Sequence, residues 1–210
     1  MDFIKHYFFT DQEKLKTITE FLESKEEYIL QKYKFRGDFG TSLTDKHVST
    51  RSGGYNIFQF SNECPELNDL LAFLIFSYQD YMKNVIPKNA YTGKLNPALN
   101  CWVNIMRDSE SIGRHRHSED YSPSWSFVSA SIILRAKNTC TRYSYKGEEF
   151  ASDNVNGCLT IFPPYYDHWT DEHKDTSHNR VTLGMDFFFD KEHSAGFKEF
   201  YDTLITVPLQ

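Results

Sequence analysis

The chain has 210 residues, enough for one domain with a full hydrophobic core. Hydrophobic residues make up 40% and aromatic residues 16%, which excludes a disordered chain and favours a sheet-rich protein, because rings pack well on pleated surfaces. The net charge of −6 argues against a general nucleic-acid-binding protein. We therefore expect the substrate to be a small molecule or one residue of a peptide.

The cysteines and the apolar segments bear on the cellular compartment. No two of the four cysteines (Cys64, Cys101, Cys140 and Cys158) have the spacing of a zinc ribbon or a redox motif, so we expect reduced structural thiols. The N-terminal residues contain no basic region followed by an apolar stretch, and the longest apolar run, residues 70–76, is too short to span a bilayer. The sequence thus predicts a soluble cytoplasmic protein without a membrane partner.

The first part of the chain predicts a helix followed by a loop. Thr10 and Glu13 form a capping-box pattern. Apolar residues then recur at helical spacing, namely Leu15, Ile18 and Leu22. These features predict a first helix over residues 11–33. Residues 35–54 are rich in Gly, Ser, Thr and charged residues, which predicts an irregular loop.

The next segment predicts a short strand and a second helix. Residues 55–60 alternate apolar and polar side chains, as a strand does. Pro65 suits the first turn of a helix, and Pro87 would end it. An apolar stripe at helical spacing lies between these prolines, made of Leu67, Leu70, Leu71, Leu74, Tyr78, Met82 and Val85. Residues 1–95 are therefore expected to be a helical support with little sheet.

After Pro97 the pattern changes to short strands. The predicted strands are residues 99–106, 126–136, 141–145, 159–162 and 180–189, with turn residues between them. Strands and helices do not alternate regularly, which disfavours a doubly wound parallel sheet and favours an antiparallel jelly roll over residues 96–190. Residues 191–206 predict one last helix in the C-terminal segment 191–210. We expect a single domain of the α+β class, mainly β.

Three histidines form a candidate metal site. Side chains two residues apart in a strand point to the same face, as those of His115 and His117 would. An apolar strand and a turn stiffened by Pro163 and Pro164 can place His168 opposite them. Such an arrangement leaves the other side of a metal ion open for substrate or oxygen. The other histidines are expected to be exposed or hydrogen-bonded: His6, His47, His173, His178 and His193.

The third metal ligand has two candidates. His117 and Glu119 form an H-x-E pair, and two histidines with one carboxylate make the facial triad of non-haem Fe(II) oxygenases. The ligand set is therefore His115, His117 and His168, or else His117, Glu119 and His168. His117 and His168 belong to both sets, and either set could accept a dianionic cosubstrate.

A late strand carries a candidate carboxylate-binding pair. Alternation places Arg180 and Thr182 on one face of the strand, so a guanidinium and a hydroxyl can bind the same carboxylate. The alternative is an arginine at the rim that pairs with a surface acid.

Four motifs follow one another along the chain: Trp102-x-Asn104, His115-x-His117, Gly157-x5-Pro163-x4-His168 and Arg180-x-Thr182. Their order over residues 100–189 resembles the 2-oxoglutarate/Fe(II)-dependent oxygenases, and in particular their small prolyl-hydroxylase-like branch. The resemblance implies a double-stranded β-helix (a jelly-roll or cupin-like core) that holds Fe(II) at one end. It also implies that Arg180, helped by Thr182, binds the distal carboxylate of 2-oxoglutarate. Asn104 and Tyr143 are weaker candidates for the cosubstrate pocket. Residues 118–123 depart from the branch, which has a short turn there.

The resemblance implies oxidative decarboxylation of 2-oxoglutarate to succinate and CO2, coupled to hydroxylation of a C–H bond. His117, His168 and Arg180 would be the catalytic residues. The histidine spacings also resemble cupin-type dioxygenases that bind metal through three histidines and need no 2-oxoglutarate, whereas Arg180-x-Thr182 favours the enzymes that use it. A third alternative is a non-catalytic jelly roll that binds a metal ion or a sugar.

Overall fold

The computed structural model describes residues 3–33, 55–86, 97–118, 127–188 and 204–207. These residues form two α-helices, α1 (Gln12–Lys32) and α2 (Glu66–Asn84), and nine strands. The strands are β1 (Lys5–Phe8), β2 (Ala98–Met106), β3 (Val128–Arg135), β4 (Cys140–Tyr145), β5 (Glu148–Asp153), β6 (Cys158–Phe162), β7 (Asp167–Thr170), β8 (Arg180–Phe188) and β9 (Ile205–Thr206). The architecture is mainly β, as the sequence predicts, and the described ranges contain both of the predicted N-terminal helices. No helix in the described ranges is both long and apolar enough to cross a membrane.

All strand pairs are antiparallel and belong to two sheets. The large sheet has the order β1-β6-β3-β8-β2-β9, and the small sheet has the order β5-β4-β7. Side chains from the two sheets meet in the space between them. Arg180 of β8 donates a hydrogen bond to Thr141 of β4, and the rings of Tyr143 and Phe162 lie 5.0 Å apart.

The outer face of the large sheet, which points away from the small sheet, packs against the helices. Its side chains alternate along β2, β3, β6 and β8: Leu99, Cys101, Val103, Ile105, Ala130, Ile132, Leu134, Leu159, Ile161, Val181, Leu183, Met185 and Phe187. Tyr78 of α2 stacks on Phe187, with ring centroids 4.1 Å apart. The predicted apolar stripe of α2 is confirmed at Leu67, Leu70, Leu74 and Tyr78, which are fully buried.

Three local predictions are wrong. Residues 55–60 do not form a strand, because the Asn56 side chain accepts a hydrogen bond from an amide of the next turn and caps a 3-10 helix, Ile57–Phe60. Asp11, and not Thr10, caps α1 by accepting a hydrogen bond from the amide of Lys14. Residues 205–206 pair with β2 as strand β9, where the sequence predicted a helix. Residues 191–203 lie outside the described ranges.

The sequence missed three strands. Strand β1 pairs with β6, so the segment before α1 belongs to the large sheet and is not only a support for it. Strands β5 and β7 flank β4 and complete the small sheet. The predicted loop over residues 35–54 and Pro87 also lie outside the described ranges.

Candidate metal centre

His115, His117 and His168 come together beside the space between the two sheets. Each offers a ligand atom, and these three atoms lie within 4.8 Å of one another. The ring centroids of His115 and His168 are 4.2 Å apart, and those of His117 and His168 are 4.8 Å apart. All three side chains are partly buried, so the cluster remains open to a ligand.

Backbone hydrogen bonds hold the three histidines in register. His115 and His168 form an isolated antiparallel bridge, with N···O distances of 3.0 and 2.8 Å. The amide of His117 donates to the carbonyl of Pro164, in the turn between β6 and β7, at 2.9 Å. The turn therefore brings His168 opposite the H-x-H segment, as the sequence predicts, although that segment forms a bridge and not a full strand.

The Nδ1 atom of each histidine lies within hydrogen-bond distance of an oxygen atom. The partners are the carbonyl of Gly113 for His115 (2.8 Å), the carbonyl of Tyr166 for His168 (3.2 Å) and the carboxylate of Asp186 for His117 (2.7 Å). These oxygens only accept, so each Nδ1 carries a hydrogen. In a neutral ring protonated at Nδ1, the Nε2 atom keeps its lone pair, which is the form that binds a metal ion. The cluster therefore fits a metal ion.

Burial keeps two of these rings neutral. Loss of solvation, followed by repulsion from His117, lowers the pKa of His115 to about 4. The pKa of His168 lies well below its usual value because of burial and then the neighbouring histidines. Both rings are thus uncharged near neutral pH, as metal ligation requires.

Trp102 forms a wall next to the histidines. It lies opposite Gly184 in the pairing of β2 with β8, and its ring centroid is 5.9 Å from that of His117. A Cβ atom added at Gly184 would lie 2.6 Å from Cε2 of Trp102. Glycine is therefore required for the indole to approach β8 so closely.

Arg180 is buried between the sheets and is 1% exposed, so it is not an arginine of the rim. Its Nη2 donates to Thr141 at 2.9 Å and to Asn154 at 3.2 Å, while its Nε is buried without a hydrogen-bond partner. Burial lowers its pKa to about 10, which leaves it charged. No carboxylate pairs with it among the residues that the structure describes. A buried unpaired charge is costly, so this guanidinium fits the carboxylate of a ligand.

The other predicted cosubstrate residues line the same space. Asn104 lies opposite Thr182 in the pairing of β2 with β8, two residue pairs along from Arg180 and on the same face. The Oδ1 atom of Asn104 is buried without a hydrogen-bond partner. Tyr143 is buried, its ring stacks 6.2 Å from that of His168, and burial raises its pKa. Glu119 lies outside the described ranges.

Sequence reasoning missed two residues that contact His117. Asp186 accepts its Nδ1 hydrogen, and the Ser129 hydroxyl donates to the same carboxylate oxygen at 2.7 Å. Asp186 continues the alternation of Arg180 and Thr182 along β8, and this alternation could have revealed it. Ser129 carries no comparable signal, because a serine in an apolar strand is common.

No protein-family model matches this chain, and no curated protein matches it. Several solved structures share its fold. A prolyl hydroxylase from Trichoplax adhaerens, solved with a hypoxia inducible factor oxygen degradation domain peptide fragment, has a TM-score of 0.57 and 11% identity, covering 93% of this chain and 87% of that one. A Pseudomonas putida prolyl-4-hydroxylase has a TM-score of 0.52 and 11% identity, covering 88% and 86%.

The non-heme alpha ketoglutarate dependent epimerase SnoN, from nogalamycin biosynthesis, has a TM-score of 0.51 and 11% identity, covering 90% of this chain and 78% of that one. At such low identity these similarities concern the fold alone. The chain thus has the fold of two prolyl hydroxylases and of an alpha-ketoglutarate-dependent epimerase.

Proposed function

We propose that this protein is a non-haem Fe(II)- and 2-oxoglutarate-dependent oxygenase that hydroxylates a C–H bond of a small molecule or a peptide residue. One observation carries the proposal: three clustered histidines lie beside the space between the sheets, which holds a buried guanidinium that has no acidic partner among the described residues. The fold shared with prolyl hydroxylases supports it. We assign the two antiparallel sheets to a double-stranded β-helix core.

The metal ligands would be His115, His117 and His168. Their grouping supports His115 as the third ligand. Fe(II) with 2-oxoglutarate, when bound, would supply the oxidising chemistry and release succinate and CO2. The protein itself would fix the three rings, and Trp102 would keep water away from one side of the centre.

Arg180 would bind the distal carboxylate of 2-oxoglutarate through its unpaired Nε, helped by Thr182. Asn104 and Tyr143 would line the same pocket. The depth of Arg180 suits a carboxylate that enters between the sheets, because the bound anion would neutralise an otherwise uncompensated buried charge.

A second candidate is a cupin-type dioxygenase that needs no 2-oxoglutarate. The three-histidine grouping favours it, since three neutral ligands bind a metal ion without any carboxylate. Arg180 argues against it, because such an enzyme has no general need for a buried guanidinium at this position.

Anaerobic titration of the Fe(II)-loaded protein with 2-oxoglutarate tests the proposal. We expect a charge-transfer band in the visible spectrum, because 2-oxoglutarate would chelate the iron. Arg180→Met should weaken 2-oxoglutarate binding by about 10- to 100-fold, the value of a charge-assisted hydrogen bond, while Fe(II) affinity stays unchanged. Fe(II) binding with oxygen consumption but no band would support the cupin-type enzyme. Metal binding without oxygen consumption would support a non-catalytic jelly roll.

The third ligand can be tested with the same protein. We expect His115→Ala to abolish tight Fe(II) binding and Glu119→Ala to leave it intact. The opposite result would assign the carboxylate as the ligand.

The cysteines support a cytoplasmic location for the enzyme. All four are free thiols, and three of them are buried. A protein without disulfides suits a reducing compartment.

A further inference from the structure

The hydrogen bond to His117 differs in kind from those to the other two histidines. His115 and His168 each donate to a neutral backbone carbonyl two residues away in the sequence. His117 donates instead to the carboxylate of Asp186, which lies on a different strand, 69 residues away. Hydrogen bonds to ionised acceptors are roughly twice as strong as neutral ones.

We propose that Asp186, held by Ser129, is a positioning residue that fixes the ring and the tautomer of His117 and strengthens it as a metal ligand. This inference rests on the proposed function only in requiring that His117 bind a metal ion. Asp186 itself would not touch the metal ion.

The two strands that carry this pair hold it rigidly. Ser129 of β3 and Asp186 of β8 are directly opposed in the antiparallel register. One carboxylate oxygen of Asp186 accepts from Nδ1 of His117 and from the Ser129 hydroxyl, each at 2.7 Å. Ser129 is fully buried, and the side chains of His117 and Asp186 are only 13% and 15% exposed. With so little freedom, the carboxylate can hold the imidazole at one angle.

The contact has two chemical consequences. Because the carboxylate only accepts, Nδ1 keeps its hydrogen and Nε2 remains the free ligand atom. A hydrogen-bonded carboxylate also raises the basicity of a ligating imidazole. It brings one negative charge next to three neutral ligands without using a coordination position. Asp186 would thereby offset part of the positive charge of a metal ion bound by three histidines. In sites with two histidines and one carboxylate, the coordinating carboxylate does this directly.

A second carboxylate offers a matched control. Asp167 acts electrostatically on His115, as Asp186 does, but it does not hydrogen-bond to any of the three histidines. It pairs instead with Arg114 and Arg116, at 3.0 Å each. Replacing Asp167 therefore removes a nearby charge, whereas replacing Asp186 also removes the charged acceptor of His117.

The test compares Asp186→Asn with Asp167→Asn by anaerobic titration with Co(II), followed by its visible spectrum. We expect Asp186→Asn to weaken Co(II) binding by about 10- to 100-fold, the usual loss when such a partner is replaced. We expect Asp167→Asn to change it by less than about threefold, since exposed ion pairs contribute little. Equal effects of the two variants would overturn the proposal, because charge alone would then explain them.

The tautomer provides a readout that needs no metal. In the metal-free wild-type protein, ¹⁵N NMR should show His117 protonated at Nδ1. In Asp186→Asn we expect a shift towards protonation at Nε2, since the new amide can donate to Nδ1. Unchanged tautomer populations together with unchanged Co(II) affinity would refute the role of Asp186.

Ser129→Ala serves if Asp186→Asn does not fold, as judged by circular dichroism. It should weaken Co(II) binding by several-fold, because the carboxylate loses one of its two restraints. No change would count against the proposal.

A wild-type protein that binds no Co(II) overturns both this inference and the proposed function. Co(II) binding that depends on Asp186, without any binding of 2-oxoglutarate, supports this inference and overturns the proposed function.

Discussion

The large sheet has two faces of opposite chemistry, although the same strands build both. On β8 the outer side chains are Val181, Leu183, Met185 and Phe187, and the inner positions are Arg180, Thr182, Gly184 and Asp186. The outer face buries apolar area against the helices and so stabilises the fold. The inner face buries polar groups, some without partners, which cost stability until a ligand satisfies them. The alternation of side chains along one strand thus places the residues that stabilise the fold on one face and the candidate site residues on the other.

The largest effect on stability should come from the outer face. Phe187→Ala removes the ring that stacks on Tyr78 and leaves a cavity under α2. We expect the free energy of unfolding to fall by about 3 to 5 kcal/mol, as for other buried phenylalanines. Urea denaturation followed by circular dichroism measures this loss.

Asn104→Ala provides the inner-face control. Its Oδ1 atom has no hydrogen-bond partner in the structure, so the variant loses little stabilisation. We expect a loss of about 1 kcal/mol or less. If both variants lost equal stability, the two faces would not divide their roles as we describe.

Low pH should destabilise the folded protein through two histidines of the metal centre. An unfolded histidine titrates near pH 6.5, whereas the pKa of His115 is about 4 in the folded protein and that of His168 is also well below 6.5. Above pH 6.5 both states are neutral and stability is unaffected. As the pH falls from 6.5 towards 4, the unfolded chain takes up protons that the folded protein does not, so the free energy of unfolding falls. The loss is about 1.4 kcal/mol per pH unit for each such histidine.

Urea denaturation of the metal-free protein between pH 7.5 and pH 5 measures this slope. His115→Gln should reduce it, because the variant lacks one of the two groups. His178→Gln is the matched control, since that side chain is 62% exposed. A slope that persists unchanged in His115→Gln would mean that other groups cause the acid sensitivity.

The periodic spacing of apolar and polar residues predicted the helices and the faces of the strands. Helical spacing located both helices, and the alternation of Arg180 with Thr182 placed them together on the inner face. The spacing of His115, His117 and His168 also predicted the cluster that the structure brings together. Such patterns are visible in a sequence because burial of one face requires apolar residues once per turn in a helix and at every second position in a strand.

The rest of the fold depends on contacts that no local pattern carries. Strands β1, β5 and β7 are four to six residues long and mix polar with apolar residues, so they acquire strand structure by pairing with other strands. A cap at Asn56 outweighed the alternation over residues 55–60. Asp186 gains its importance from His117, which lies far away in the sequence.

A smaller loss than that of Phe187→Ala is expected at Gly184, where the inner face carries no side chain. Gly184→Ala puts a methyl group 2.6 Å from the Trp102 ring, which must then move, together with the wall next to His117. We expect a loss of about 1 to 3 kcal/mol, typical of overpacking, and weaker Co(II) binding. Gly147→Ala is the control, because its Cβ would meet open space and only its positive φ of 83° is strained. It should lose about 1 kcal/mol and bind Co(II) normally. Unchanged Co(II) affinity in Gly184→Ala would show that Trp102 does not shape the centre, and the inner face would then depend on its polar groups alone.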